Sequence, residues 1–122
     1  MTVREMYQKA LTLLGYAGSD SISGESEFAR KGIAVINQIY SDLHYAVSRE
    51  DFVPVNSFTD KINLSVRILN DVMPYGVAML LAQSENDSDN QMIFAALYNK
   101  KRVGVAKIGQ VKFTEPIESG DE

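Results

Sequence analysis

Apolar side chains recur at three- and four-residue spacing near the start of the chain, which is the pattern of one helical face. Thr2 and Glu5 form a capping box before this stretch, and Gly15 follows it where a left-handed C-terminal cap is expected. These features predict a helix over about 3–14. Its apolar positions are Val3, Met6, Tyr7, Ala10, Leu11 and Leu14.

A longer stretch with the same spacing begins near Glu25, after a loop of small polar residues over 16–24, and ends near Val47. Its length of about six turns predicts the central helix of the fold. Gly32 lies inside it at a cost in helix propensity of roughly 1 kcal/mol relative to Ala, which indicates close packing by another part of the chain. The apolar positions are Phe28, Ala29, Ile33, Ile36, Ile39, Tyr40, Leu43 and Val47.

The helical period breaks over 48–64, a segment of 17 residues. Pro54 limits any strand in this segment to a sheet edge or an irregular conformation. Because long connections are usually functional or form a small substructure, we predict an ordered arm. Its apolar side chains are Phe52, Val53, Val55 and Phe58.

Helical patterns return in the second half of the chain. Ser65 can cap a short helical turn over 66–69, and Asp71 is expected to cap a helix over about 72–84 with Pro74 in its first turn. Few positions of that helix are polar, so we expect its burial on most sides, by its own fold or by a neighbouring subunit. The apolar residues are Val72, Met73, Val77, Ala78, Leu80, Leu81 and Ala82.

The last helix is predicted over about 89–103, with Asp87 or Asp89 at its N-terminus and a basic run near its C-terminus. We expect one apolar stripe with a second, slightly offset edge beside it. The basic run is Lys100, Lys101 and Arg102; the stripe is Met92, Ile93, Ala96 and Leu97; the offset edge is Phe94 and Tyr98.

From Gly104 onward the chain is thinly apolar, and Val111 and Phe113 alternate with a polar residue as in a strand. We predict an extended or flexible C-terminal tail over 104–122 that can add as a strand to a partner. The whole pattern predicts a mainly α protein. It consists of a small bundle of four to five helices with an irregular or short-β arm, in one domain over 1–103.

The amino-acid composition excludes several classes of function and of binding site. Of the 122 residues 45% are hydrophobic, enough for one core, and the net charge of −4 disfavours a surface that binds nucleic-acid phosphates. The chain has no cysteine and one histidine, which excludes disulfides, thiolate metal sites and sites with two imidazoles. No stretch approaches 18 apolar residues and no signal peptide is evident, so we expect synthesis in the cytoplasm and no membrane insertion.

The motifs that carry chemistry are incomplete. A calcium-loop pattern beginning at Asp87 has Met92 where glycine is needed and Tyr98 where a bidentate glutamate is needed, so a capped helical turn explains it better. His44 is interpreted as a polar helix residue that is solvated or bonded to backbone. We therefore predict no catalytic, cofactor-binding or metal-binding residue, and a protein that is not an enzyme.

The segment from Asp71 to Asp87, in which Pro-Tyr-Gly opens an Ala- and Leu-rich helix before an acidic turn, resembles small head-to-tail connector proteins of tailed bacteriophages. These are adaptor, or head-completion, subunits. The helix over 91–102 with its aromatic and basic end, and the opening helices, are similar to the same family, so the resemblance covers roughly 3–103. The structural signature residues are Pro74, Tyr75, Gly76, Ala78 and Leu81.

The resemblance implies a subunit of a closed ring of roughly a dozen copies that docks below the phage portal and extends the DNA channel toward the tail. Its implied partners are further copies of itself, the portal protein and a tail or stopper protein. DNA would pass without specific binding, and no membrane or small-molecule substrate is implied. The implied location is the virion, after synthesis in the bacterial host.

The arm and the tail match nothing in the family, so we predict that they contact neighbours. The candidate interface residues are Phe52, Val53, Val55, Phe58, Val111 and Phe113. The alternative interpretation is a small cytoplasmic interaction or regulatory module, a homodimer that buries the helix over 72–84 in a two-fold interface.

Overall fold

The computed structural model describes residues 1–16 and 27–105, apart from the side chains of 27–29, and it confirms a mainly α bundle. Within those ranges no strand forms, and the only β pairing is an isolated antiparallel bridge between Thr2 and Lys61. No described helix is long and apolar enough to cross a membrane. The helices are α1 Val3–Leu14, α2 Glu27–Val47, α3 Val66–Asp71, α4 Met73–Ser84 and α5 Ser88–Val103.

Helix α1 begins with every free amide of its first turn bonded. The predicted capping box is present: the Thr2 hydroxyl accepts from the Glu5 amide at 3.2 Å, and the Glu5 carboxylate accepts from the Thr2 amide at 2.8 Å. The amides of the first two helical residues donate to the carbonyl oxygens of Asp60 and Phe58 at 2.9 and 3.0 Å. The helix ends at Gly15, whose φ of 75° is the left-handed cap expected from the sequence.

The arm over 48–64 is ordered as predicted. Its backbone is hydrogen-bonded to side chains of α2, and no neighbouring strand pairs with it among the described residues. Asn37 pairs with the peptide of Val55 as a strand would, because its amide nitrogen donates to the Val55 carbonyl at 2.9 Å and its oxygen accepts from the Val55 amide at 2.8 Å. The Tyr40 hydroxyl accepts from the Asn63 amide at 3.0 Å. These bonds satisfy backbone groups that a sheet would otherwise pair.

The start of the arm is held by the C-terminal end of the same helix. His44 donates from Nε2 to the carbonyl oxygen of Glu50 at 2.6 Å, which confirms the interpretation of this histidine as a residue bonded to backbone. The Tyr45 hydroxyl accepts from the Phe52 amide at 3.0 Å. The Phe52 ring then packs edge-on against Tyr40, with 5.0 Å between ring centroids.

Helix α4 lies at the centre of the bundle and contacts all four other helices. It is buried by its own fold, and Pro74 stands in its first turn as predicted. The prediction that Asp71 caps α4 is wrong, because α3 continues through Asp71 and Val72 occupies the cap position without a side-chain bond. The Val72 amide donates to the Ile68 carbonyl, so α3 and α4 meet with no intervening loop.

Two pairs of helices pack tightly at a glycine, α2 against α1 at Gly32 and α4 against α5 at Gly76. A Cβ atom on Gly32 would lie 2.5 Å from a ring carbon of Tyr7, and one on Gly76 would lie 2.7 Å from a ring carbon of Tyr98. The close packing predicted at Gly32 is therefore present. Beyond α5, Val105 is fully buried, so the described fold extends past the predicted boundary at 103. The predictions for the loop after Tyr16 and for the tail from 106 lie outside the described residues.

Candidate interaction surface

Helix α5 carries apolar side chains on two opposite sides. Phe94 and Tyr98 are buried against the bundle, 7% and 4% exposed. On the other side, Met92, Ala96 and Val103 follow one another at helical spacing, with Ile93 beside them. Met92 is 69% exposed, Ile93 54% and Val103 78%, and Ala96 is also exposed. We call Met92, Ile93, Ala96 and Val103 the α5 outer face.

The α5 outer face overturns a prediction. Met92, Ile93 and Ala96 were expected to be part of the main stripe of this helix, yet they face solvent, and only Leu97 of that stripe is half-buried. The buried side is the one expected to be the offset edge. The physical reason is Gly76 on α4, which leaves a slot that the ring of Tyr98 fills.

A polar cluster fastens α5 to α2. Asp42 accepts from the Tyr98 hydroxyl at 2.7 Å and from Arg102 at 2.6 Å and 2.8 Å, so the guanidinium binds both carboxylate oxygens. Bidentate pairing of this kind is geometrically specific. It sets the rotation of α5 about its axis and therefore the direction in which the α5 outer face points.

The pKa values of Asp42 and Tyr98 in this cluster shift in opposite directions. The hydrogen bonds from Arg102, followed by that from Tyr98, lower the pKa of Asp42 despite its partial burial. Burial, followed by the bond to Asp42, raises the pKa of Tyr98 far above its ordinary value. The Asp42 carboxylate is therefore ionised and the Tyr98 phenol neutral at any physiological pH. The hydrogen bonds that join α5 to α2 do not change with pH in that range.

The signature residues of the resemblance are mostly inside the molecule. Pro74, Gly76, Ala78 and Leu81 are buried along α4, and Tyr75 is half-buried, with Phe94 at 6.1 Å between ring centroids. Lys101 places its ammonium 4.6 Å from the centre of the Tyr75 ring. The signature residues therefore specify how α4 and α5 pack. The exposed apolar surface of α5 is formed by other residues, those of the α5 outer face.

A second exposed apolar patch lies where α2 meets the arm. Val53 is 74% exposed and Tyr45 55% exposed, and the half-buried ring of Phe52, the residue before Val53, lies 6.5 Å from that of Tyr45 between centroids. Glu50 and Asp51 are exposed beside it. We call these five residues, Tyr45 and Glu50 to Val53, the arm tip.

The rest of the predicted interface differs from the structure. Val55 and Phe58 are 5% and 4% exposed and belong to the core of the single chain, so they are not available to a partner. The reason is the pairing of Asn37 with Val55 and the stacking of Phe58 on Tyr7, 5.5 Å between centroids, which turn these side chains inward. Val111 and Phe113 lie outside the described residues.

The acidic side chains of the described residues assemble no metal-binding cluster, and Asp87 caps a helix. Across 1–16 and 27–105 no three His, Asp or Glu side chains lie close enough together to hold a metal ion. Asp87 caps α5 by accepting from the Asn90 amide at 3.3 Å, as one of the two predicted caps, and it accepts from the Tyr16 hydroxyl at 2.9 Å. These bonds, the largest being the side-chain bond from Asn90, lower the pKa of Asp87.

Some surface residues had no sequence signal strong enough to single them out. Val103 stands at the end of α5 and Tyr45 next to the only histidine, and both read as ordinary helix positions. Their exposure follows from how α5 and α2 are rotated in the bundle. A helical projection of α5 with two apolar arcs is the one pattern that could have indicated the α5 outer face.

The described surface thus offers two sets of exposed apolar side chains, on α5 and at the arm tip. Comparison of the chain with protein-family models, with curated proteins and with solved structures finds no match.

Proposed function

We propose that this chain is a structural subunit of a closed ring, the head-to-tail connector of a tailed bacteriophage or prophage. The observation that carries the proposal is the α5 outer face, an apolar helical surface presented to solvent. The resemblance of the segment from Asp71 to Asp87 to phage connector proteins supplies the identity of the ring. Its partners are then further copies of this chain, the portal protein and a tail or stopper protein.

The energetics of the α5 outer face favour self-association. Complete burial of an aliphatic side chain contributes roughly 1.5–3 kcal/mol, and Met92, Ile93 and Val103 are each more than half exposed. The helix is fastened through Asp42, so little conformational entropy is lost when a partner covers it. In a ring every subunit repeats the same contact, and the favourable free energy accumulates around the circle.

The overall charge is compatible with a DNA channel. The chain carries 16 acidic and 12 basic side chains, and a net negative charge lets the phosphate backbone slide because a basic lining would hold it. No specific DNA contact is part of the proposal. The subunit shapes the channel and does not read the nucleic acid.

The direct test is quantitative mass spectrometry of purified phage particles from the source strain. We expect this chain in DNA-filled particles at near one copy per portal subunit, because a connector ring continues the symmetry of the portal. Native mass spectrometry of the purified chain then gives the ring size. Absence from intact particles would reject the virion role.

A second candidate is a homodimeric helical interaction module, which the same α5 outer face favours. Because α4 is already covered by the other helices, a two-fold interface would use α5 packed against α5. Native mass spectrometry separates the candidates: a dimer as the largest stable species, together with absence from particles, supports the interaction module over the ring.

A further inference from the structure

We infer that the subunit contact is heterologous, with the α5 outer face of one copy seated on the arm tip of the next. This inference rests on the proposed ring and specifies which two surfaces form it. It predicts that Ile93 of one copy lies against Val53 of its neighbour. The partner is a second copy of this chain and no other protein.

The first support is that the two apolar patches lie on different elements. The α5 outer face lies on the last helix, and the arm tip lies on the end of α2 and the first residues of the arm. A two-fold dimer needs one self-complementary patch, whereas a ring needs two different patches that fit each other. Two separate exposed patches are what a ring subunit requires before assembly.

Charge complementarity supports the same pairing. Lys100 is exposed on α5 between Ile93 and Val103 along the helix, and Glu50 and Asp51 are exposed at the arm tip. Among the described residues none of these three charges forms an ion pair, since the ion pairs present are Lys31 with Glu85 and Arg102 with Asp42. A lysine on α5 that meets the two carboxylates of the arm tip aligns two copies head to tail.

Both surfaces are already held in shape within one subunit. The arm tip is fixed by the bonds of His44 and Tyr45 to its backbone, and α5 is fixed by Asp42. Preformed surfaces lose little freedom on docking, so small patches are sufficient when the contact repeats around a ring. The half-buried Phe52 ring supplies the floor against which an incoming aliphatic side chain packs.

The test uses disulfide trapping, for which the chain is suited because it has no cysteine of its own. Ile93→Cys and Val53→Cys are made singly and together in the full-length protein, with Thr12→Cys on the exposed side of α1 as the matched control. Under mild oxidation, we expect a mixture of the two single variants to form a mixed dimer. The double variant is expected to form a ladder of covalent oligomers, since each copy is linked on both sides.

The possible results distinguish a failure of the proposed contact from a failure of the proposed ring. Self-linking of Ile93→Cys alone would overturn the heterologous contact in favour of a two-fold dimer. A ring in native mass spectrometry without any link between positions 93 and 53 would overturn the contact and leave the ring. Slow thiol labelling of Ile93→Cys in the monomeric fraction, relative to Thr12→Cys, would show that the chain itself covers α5 and would also overturn it. Monomers only, with the protein absent from particles, would reject the ring itself.

A charge exchange tests the same contact without cysteines. Lys100→Glu is expected to weaken self-association about tenfold because a carboxylate on α5 then meets the carboxylates of Glu50 and Asp51. Adding Glu50→Lys and Asp51→Lys to the same chain is expected to restore association. If the triple variant associates no better than Lys100→Glu alone, the proposed pairing of these charges is wrong.

Discussion

Gly32 is the residue on which the packing of α1 against α2 depends. The ring of Tyr7 lies directly over it and stacks on Phe58 of the arm, so one aromatic side chain joins three parts of the fold. Burial, with a smaller contribution from Glu85, raises the pKa of Tyr7 to about 12. The phenol therefore stays neutral inside the bundle, and any side chain on residue 32 displaces it.

We expect Gly32→Ala to lower the free energy of unfolding by about 1–3 kcal/mol through overpacking, although Ala gains roughly 1 kcal/mol in helix propensity. Urea denaturation followed by circular dichroism measures the change. Gly104→Ala is the control, because its Cβ would meet nothing closer than 3.7 Å and its φ of −81° suits any residue. Equal effects of the two variants would contradict the steric explanation.

Asn37 is the second residue with an effect beyond its own helix, since it is the partner of the Val55 peptide. Replacement of Asn37 by Leu leaves an amide and a carbonyl of the arm without partners and is expected to cost about 2 kcal/mol. Gln38→Leu, at the neighbouring exposed position, is the matched control. Hydrogen exchange checks the mechanism: the Val55 amide loses protection in Asn37→Leu and keeps it in Gln38→Leu.

Helices could be predicted from the sequence because their signals are local. The capping box at Thr2, the cap at Gly15 and the short helix after Ser65 depend on residues within one turn of each other. The side of α5 that is buried could not be predicted, because both sides are apolar and the choice is made by Gly76 on another helix. The arm was predicted to be ordered, but its partners on α2 lie 18 residues or more from Val55 and Asn63 and have no local signal.

At the scale of elements, the orientation of α5 depends on Asp42. Because the folded-state pKa of Asp42 lies below its ordinary value of 3.8, the bond stabilises the fold at all pH values above the unfolded pKa. This stabilisation is lost as the pH falls through the folded pKa. More than a third of the Asp42 side chain and of the Arg102 side chain is exposed. We therefore expect this ion pair to contribute about 1 kcal/mol to the free energy of unfolding at neutral pH, less than a buried pair would.

Asp42→Asn is therefore expected to lower the free energy of unfolding by about 1 kcal/mol at pH 7 and to differ little from the unchanged protein at pH 2. Asp71→Asn, which replaces an exposed carboxylate at the end of α3, is the control. Urea denaturation at several pH values from 7 to 2 measures the difference in free energy of unfolding between the unchanged protein and each variant. A constant difference for Asp42→Asn across that range would contradict the ionic origin of the stabilisation.

In the molecule as a whole, the residues that stabilise the fold differ from the residues that are exposed to a partner. The core signature of α4 is enclosed, whereas the α5 outer face and the arm tip are exposed and contribute little to the stability of one subunit. We expect Ile93→Asp to reduce self-association at least tenfold, about 1.4 kcal/mol, while the melting temperature of the monomer stays unchanged. Thr12→Asp is the control, and sedimentation velocity measures association.

The way α1 begins has a consequence for synthesis on the ribosome. The amides of its first two residues donate to the carbonyl oxygens of Phe58 and Asp60, and the carbonyl of Met1 accepts from the Ile62 amide. These partners leave the ribosome only after α1 and α2 have already emerged. The N-terminal helix therefore reaches its final position only once the arm has emerged and its backbone can accept these hydrogen bonds.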